Sequence, residues 1–147
     1  MSHRELITFQ VADQLFGLDI MAIREIRAWS PVTRLPQVPD YVAGVVNLRG
    51  TVLPVFDLAA RLGWGPTQAT PRNPIIVTSI GGQTRGLIVH SVNDIVALPA
   101  DSLQQPEGGA SDGIDRFIEG LAPLGDDMVI VLDLATLARD EPLDMAA

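Results

Sequence analysis

The sequence predicts an all-β protein with a few short helices, built as two small pseudo-symmetric β-barrels. Three observations predict it: an internal repeat, closely spaced short strand patterns, and helical spacing confined to brief stretches. Tyr41 to Leu58 overlays Phe117 to Leu134 without a gap, and Gly44/Gly120, Leu48/Leu124, Val55/Val131, Asp57/Asp133 and Leu58/Leu134 are identical. An earlier stretch repeats at a different offset. Ile7 falls on Ile76, Gln14 on Gln83, Gly17-Leu18 on Gly86-Leu87, Ile23 on Val92 and Ile26 on Ile95. The two offsets are reconciled by an insertion at Gly108 to Gly113, of the kind surface loops tolerate. Positions kept in both copies serve the fold. Asn47-Leu48-Arg49-Gly50 against Pro123-Leu124-Gly125-Asp126 is where one copy has diverged toward a task of its own.

Taken in order, Leu6 to Val11 and Gln14 to Leu18 read as strands about an Ala12-Asp13 turn. Ile20 to Arg27 reads as a strand end or as one or two helical turns, a short helix being preferred, and Ser30 to Asp40 reads as a loop, being rich in Pro, Ser and Asp. Arg49 sits at a strand-to-strand turn, and Thr51 to Asp57 is a β-branched run. Leu58 to Leu62 has helical spacing closed by Gly63, with Asp57 placed to accept backbone N–H bonds as its N-cap. The second copy repeats this plan. Pro74 to Ile80 and Gln83 to Val89 flank Gly81-Gly82, whose positive φ suits a tight hairpin. Pro99 to Arg116 is a loop, Asp127 to Asp133 a strand, and Leu134 to Ala138 a helical stretch capped by Asp133. The expected organisation is one domain over residues 5–140, made of subdomains at about 5–65 and about 72–140 with strand exchange between them allowed, and a flexible tail at 141–147.

Composition narrows the function classes. Hydrophobic residues are 47% of the 147 and mean hydropathy is +0.26, which leaves apolar surface for partners or fills a fully buried core. A net charge of −8 argues against nucleic-acid binding, which needs a cationic face. With no cysteine there is no disulfide, thiol nucleophile or thiolate metal site. All ten basic residues are arginine. That excludes a P-loop lysine, a protein-kinase strand lysine and Schiff-base chemistry. Charged residues run through the first twenty positions, so no signal peptide is read there, and no apolar run approaches the ~20 residues of a membrane helix. A soluble, cytoplasmic protein is expected.

Sites of chemistry are sparse. His3 and His90 stand alone, away from any cluster at ligand spacing, so no metal site is expected. The matched pair Asp57 and Asp133 is explained by capping rather than acid–base catalysis. No Gly-x-Ser-x-Gly elbow is present, and no glycine-rich loop precedes a helix. Trp29 and Trp64 read equally well as barrel lids or interface anchors.

Gly17-Leu18-Asp19-Ile20, Ile23-Arg24-Glu25-Ile26, Leu35-Pro36, Pro39, Tyr41 to Gly50, Pro54-Val55, Asp57-Leu58, Leu62-Gly63 and Gly86-Leu87-Ile88-Val89 occur in that order. This set resembles the CheW family of bacterial chemotaxis coupling proteins, from about Glu5 to Ala138, and Gly-Val-x-Asn-Leu-Arg-Gly at Gly44 to Gly50 is its most specific part. The resemblance implies two five-stranded SH3-like barrels sharing a hydrophobic core, with no catalytic activity and no cofactor. It also implies an adaptor between the cytoplasmic domain of methyl-accepting chemoreceptors and the regulatory domain of a CheA-type histidine kinase. The membrane would then be met only through receptors. His90 stands where the family usually has Asp.

The receptor groove that the resemblance implies is lined by Ile23, Glu25, Gly44, Asn47 and Arg49. Arg49 offers a planar fork for a receptor carboxylate or carbonyls, and its mate Gly125 shows that the fold needs no cation there. Glu25, whose mate is Asp94, is expected to approach Arg49 across the groove. Asn47 reads mainly as a turn former and Gly44 as a backbone requirement. Two rival readings stand: a coupling protein of a non-flagellar chemosensory pathway, and a small-ligand or enzymatic β-barrel with a deep polar pocket. A regulatory module of a histidine kinase is a third, which the initiating Met1 and the full-length repeat disfavour.

Overall fold

The structure is a computed structural model that describes residues 3–28, 32–38, 41–65, 73–80, 83–104 and 117–134. In copy one the strands are β1 (His3–Val11), β2 (Gln14–Asp19), β3 (Ile23–Arg27), β4 (Val42–Leu48) and β5 (Thr51–Asp57). Copy two supplies β6 (Ile75–Ile80), β7 (Gln83–Ile88), β8 (Ser91–Pro99), β9 (Ile118–Leu124) and β10 (Asp127–Leu132). They form two five-stranded sheets, ordered β8-β1-β2-β10-β9 and β3-β6-β7-β5-β4. Applying the repeat to the first order gives the second, strand for strand. The first hairpin of each copy therefore lies in the other copy's sheet. Strand exchange is complete, and the sheets divide the chain as Ile23 to Ile88 against its two ends rather than at about 5–65 and 72–140.

The exchange is held by one parallel pair in each sheet, β2 with β10 and β5 with β7, and the registers match. Gly17 lies opposite Val131, and Gly86 opposite Val55. A Cβ at Gly17 would stand 3.0 Å from Val129 Cγ1, and one at Gly86 would stand 2.9 Å from Ile75 Cγ2. The identity of these residues in both copies is thus a packing requirement. Each sheet encloses its own apolar core, around Leu6, Ala122, Val129 and Val131 in one and Val46, Leu53, Val55 and Val77 in the other. A third and larger core joins them, with Phe9, Phe16 and Leu18 from one side meeting Val42, Phe56, Ile76 and Leu87 from the other. Side chains of this size each stabilise by roughly 1.5–3 kcal/mol on full burial. The junction between sheets is therefore as much a core as the sheet interiors.

Local signals set the details. Ile20 to Arg27 is helical only over a 3-10 turn, Ile20–Ala22, where Asp19 accepts from the Met21 N–H. From Ile23 it is strand β3, paired with β6, so the expected helix ends after one turn; pairing with β6 satisfies a backbone that β-branched Ile23 and Ile26 favour extended. The loop predicted from Ser30 contributes an antiparallel bridge, Thr33 to Val45, and Gln104 bridges Leu121 in the same way in copy two. A single α-helical turn, α1 (Leu58–Arg61), follows β5, its N-cap Asp57 accepting from the Ala60 N–H at 3.5 Å. Gly63, at φ 84, ends it and turns Trp64 over the Phe16 ring, with centroids 5.6 Å apart. Trp64 is thus a lid on the shared core.

His90 has a clear local task. Its Nδ1 accepts from the Ala12 N–H at 2.5 Å, securing a β1–β2 turn in which Ala12 sits at φ 55. An aspartate, usual in the resembled family, offers the same acceptor. Arg4 donates to Glu119 and, at 3.2 Å, to Asp19, part-buried contacts that link β1 to β9. Burial works against the Arg4 charge, but Glu119 and Asp19 outweigh it and raise its pKa. Trp29, Gly81-Gly82, the Gly108 to Gly113 insertion, Ala135 to Ala138 and the tail at 141–147 lie outside the described residues. Among the described residues no helix is long and apolar enough to cross a membrane.

Candidate functional site

The diverged Asn47 to Gly50 stretch forms the β4–β5 hairpin tip, with Leu48 paired to Thr51 about a two-residue turn. Both turn residues have positive φ, 51 at Arg49 and 87 at Gly50, the geometry of a type I′ turn. Asn47 Oδ1 accepts from the Gly50 N–H at 2.8 Å, which fixes the turn from within. In copy two the equivalent turn is Gly125-Asp126, where the first position carries the positive φ and needs no strained side chain. An arginine in the left-handed region costs about 1–2 kcal/mol. In exchange, the turn holds its guanidinium over the neighbouring strand edge.

That edge is β3. Its pairing with β6 shifts register between Ile23 and Glu25, a bulge that re-aims the side chain beyond it. The β1–β8 pair carries an equivalent bulge between Ile7 and Phe9, so the irregularity belongs to the fold. Only copy one uses it to present a glutamate to an arginine: Arg49 Nη2 donates to Glu25 Oε1 at 3.1 Å and Nη1 to Oε2 at 3.4 Å. Arg27 Nη1 stands 3.8 Å from the same Oε1. The Arg49 side chain remains 69% exposed, so a partner can reach it with the pair intact.

Around this pair lies an open cleft of about 360 Å³, lined by Arg24, Glu25, Arg49 and Thr84 over Leu48, Leu53 and Val77. A second cleft lies beside the repeat-related hairpin. This cleft of about 310 Å³ by the β9–β10 tip is lined by Asp13, Asp126, Asp127, Asn93, Gln14 and Met128 among others, with three carboxylates and no guanidinium. The two linings share the repeat-related positions Arg24/Asn93, Thr51/Asp127 and Thr84/Leu15, and they differ in charge.

Of the five residues expected in the groove, the structure brings Glu25 and Arg49 together as anticipated. Asn47 is exposed on the turn that carries Arg49. Ile23 is half-buried and packs against the shared core. Gly44 is buried beneath the Thr33 bridge, where at φ 147 a Cβ would stand 2.1 Å from the Thr33 carbonyl oxygen. It shapes the barrel and does not face the cleft. Sequence reasoning missed Arg24 and Arg27. Reading β3 as helix hid them, since only in a strand do Glu25 and Arg27 share a face.

Comparison with known proteins supplies the frame for this site. A family model described as "CheW-like domain" matches residues 5–141. The chain belongs to the CheW-like family. It is 43% identical over 144 residues to a probable chemotaxis protein CheW of Rhizobium etli, covering 97% of this chain and 92% of that one. It is 41% identical to a chemotaxis protein CheW of Rhizobium meliloti over 97% and 92% of the two chains. The crystal structure of the scaffolding protein TtCheW from Thermoanaerobacter tengcongensis superposes with a TM-score of 0.83 at 32% identity, covering 93% of this chain and 88% of that one. As a CheW-like protein the chain is a non-catalytic adaptor of chemotaxis signalling, and its two five-stranded sheets are the family's fold.

Proposed function

We propose that this adaptor joins the cytoplasmic domain of chemoreceptors to the regulatory domain of a CheA-type histidine kinase, and that the Glu25–Arg49 cleft takes the receptor. One observation carries the reading: the clefts beside the two repeat-related hairpin tips differ in charge, and of the two only the one built around Arg49 bears guanidinium groups. An exposed pair of this kind adds about 0–1 kcal/mol, no more than the turn strain removes, so it is not there for stability. Its value lies in recognition. A receptor helix presenting a carboxylate beside apolar side chains fits an arginine fork above Leu48, Leu53 and Val77. Asn47 holds the fork in place, while Ile23 and Gly44 support the strands from inside.

An adaptor acts by binding one signalling state of its partners better than another, so it needs two surfaces and no bond-making chemistry. The receptor surface lies on the sheet of β3 to β7, and association with receptor arrays, rather than a membrane segment of its own, brings the protein to the membrane. The test is sedimentation of receptor-containing membranes with kinase, with and without this chain. Kinase that sediments and responds to attractant only when the chain is present supports the reading. Kinase recruitment that is independent of the chain refutes it.

A further inference from the structure

We propose that Arg61 is an orientation lock between the two barrels, its guanidinium held between the rings of Tyr41 and Phe117. The guanidinium carbon lies 4.5 Å from each ring centroid. Tyr41 leads into β4 and Phe117 into β9, and the two residues are repeat mates, so the rings come from equivalent places in opposite sheets. Their backbones are anchored alike. The Tyr41 carbonyl accepts from the Asp57 N–H at 2.8 Å, and the Phe117 carbonyl accepts from the Asp133 N–H at 2.7 Å. Arg61 stands in the last turn of α1, whose Leu58 and Ala59 are buried in the shared core. Its own repeat mate is Leu137, so the sequence provides one cation for a two-ring site.

The physical need for such a lock follows from the junction it spans. Apolar burial resists separation of the sheets but is non-directional, so it tolerates sliding and rotation. A planar guanidinium between two ring faces is directional, and an ammonium cannot copy it. The cleft lies on one sheet, so a partner on the other sheet senses it only across this junction. That consequence rests on the function proposed above; the lock itself does not.

The chain has no cysteine, so paired spin labels at Val52→Cys and Met128→Cys, exposed repeat mates on β5 and β10, report barrel orientation cleanly. With Arg61 present the inter-label distance distribution should be single and narrow. Arg61→Leu should lose that narrow peak while circular dichroism stays unchanged, Phe117→Leu should do the same, and Arg61→Lys should restore the peak only in part. Should Arg61→Leu fail to fold, the two ring variants Phe117→Leu and Tyr41→Leu carry the test. A narrow, unshifted distribution in a folded variant lacking Arg61 or a ring overturns the lock. In reconstituted arrays, Arg61→Leu should bind receptor hairpin with unchanged affinity and lose control of the kinase. Loss of the narrow peak with kinase control intact would leave the lock standing and count against the proposed route of signalling.

Discussion

Arg49 combines a strained backbone with an exposed ion pair, and neither helps the fold. At φ 51 it occupies a conformation that glycine adopts freely, and its bonds to Glu25 lie in solvent. Arg49→Gly is therefore expected to stabilise the protein by about 1 kcal/mol while weakening receptor binding; denaturant unfolding and a binding titration read the two effects separately. Gly44→Ala should do the reverse. Its Cβ would meet the Thr33 carbonyl oxygen at 2.1 Å, so a loss of about 3 kcal/mol is expected, with no specific binding defect at temperatures where the variant remains folded. His90→Asp should be near neutral, whereas His90→Leu should cost about 1–2 kcal/mol by leaving the Ala12 N–H without its acceptor. Asn47, Arg49 and Gly44 were legible in the sequence because the repeat separates what both copies keep from what one copy changed. The roles within that group were not: whether a glycine faces a groove or a neighbouring backbone depends on Thr33, a loop residue with no strand pattern of its own.

The hairpin turn and the bulge act together at the scale of elements. The two turns reach the same register with different chemistry, Arg49-Gly50 in one and Gly125-Asp126 in the other. Replacing the first by the second, Arg49→Gly with Gly50→Asp, should give a folded protein whose circular dichroism matches the parent and whose receptor binding is lost. Strands β1, β2, β5, β6, β7 and β10 follow plainly from β-branched runs between turns. Strand β3 does not, because its bulge breaks the period of two that identifies a strand, and the remaining spacing of Ile20, Ile23 and Arg27 imitates a helix turn. That single misreading hides Arg27, which becomes a neighbour of Glu25 only once β3 is extended.

The whole molecule is two barrels that have traded their first hairpins around a shared core. The repeat makes the symmetry legible, but not the trade, since β1–β2 would pair equally well in pattern with either set of partners. What decides is contact over distance: Gly17 against Val131 and Gly86 against Val55. Residues 5–65 and 72–140 expressed separately should each remain unfolded, because each lacks the hairpin its sheet needs, and mixing them should restore β-sheet circular dichroism. Phe16→Ala, which opens a cavity beneath Trp64 in the shared core, should cost about 3–5 kcal/mol and shift Trp64 fluorescence. Coupling two partners through such a body requires that each surface be separable from the other. The most direct measurement is a titration of the purified protein, wild type and Arg49→Ala in parallel, against a receptor cytoplasmic hairpin and against a kinase regulatory domain from the same cell. Wild type should bind both, and the variant, its stability within about 0.5 kcal/mol of wild type, should lose the receptor alone. A folded variant that binds receptor as wild type does, or that loses both partners together, would contradict this separation.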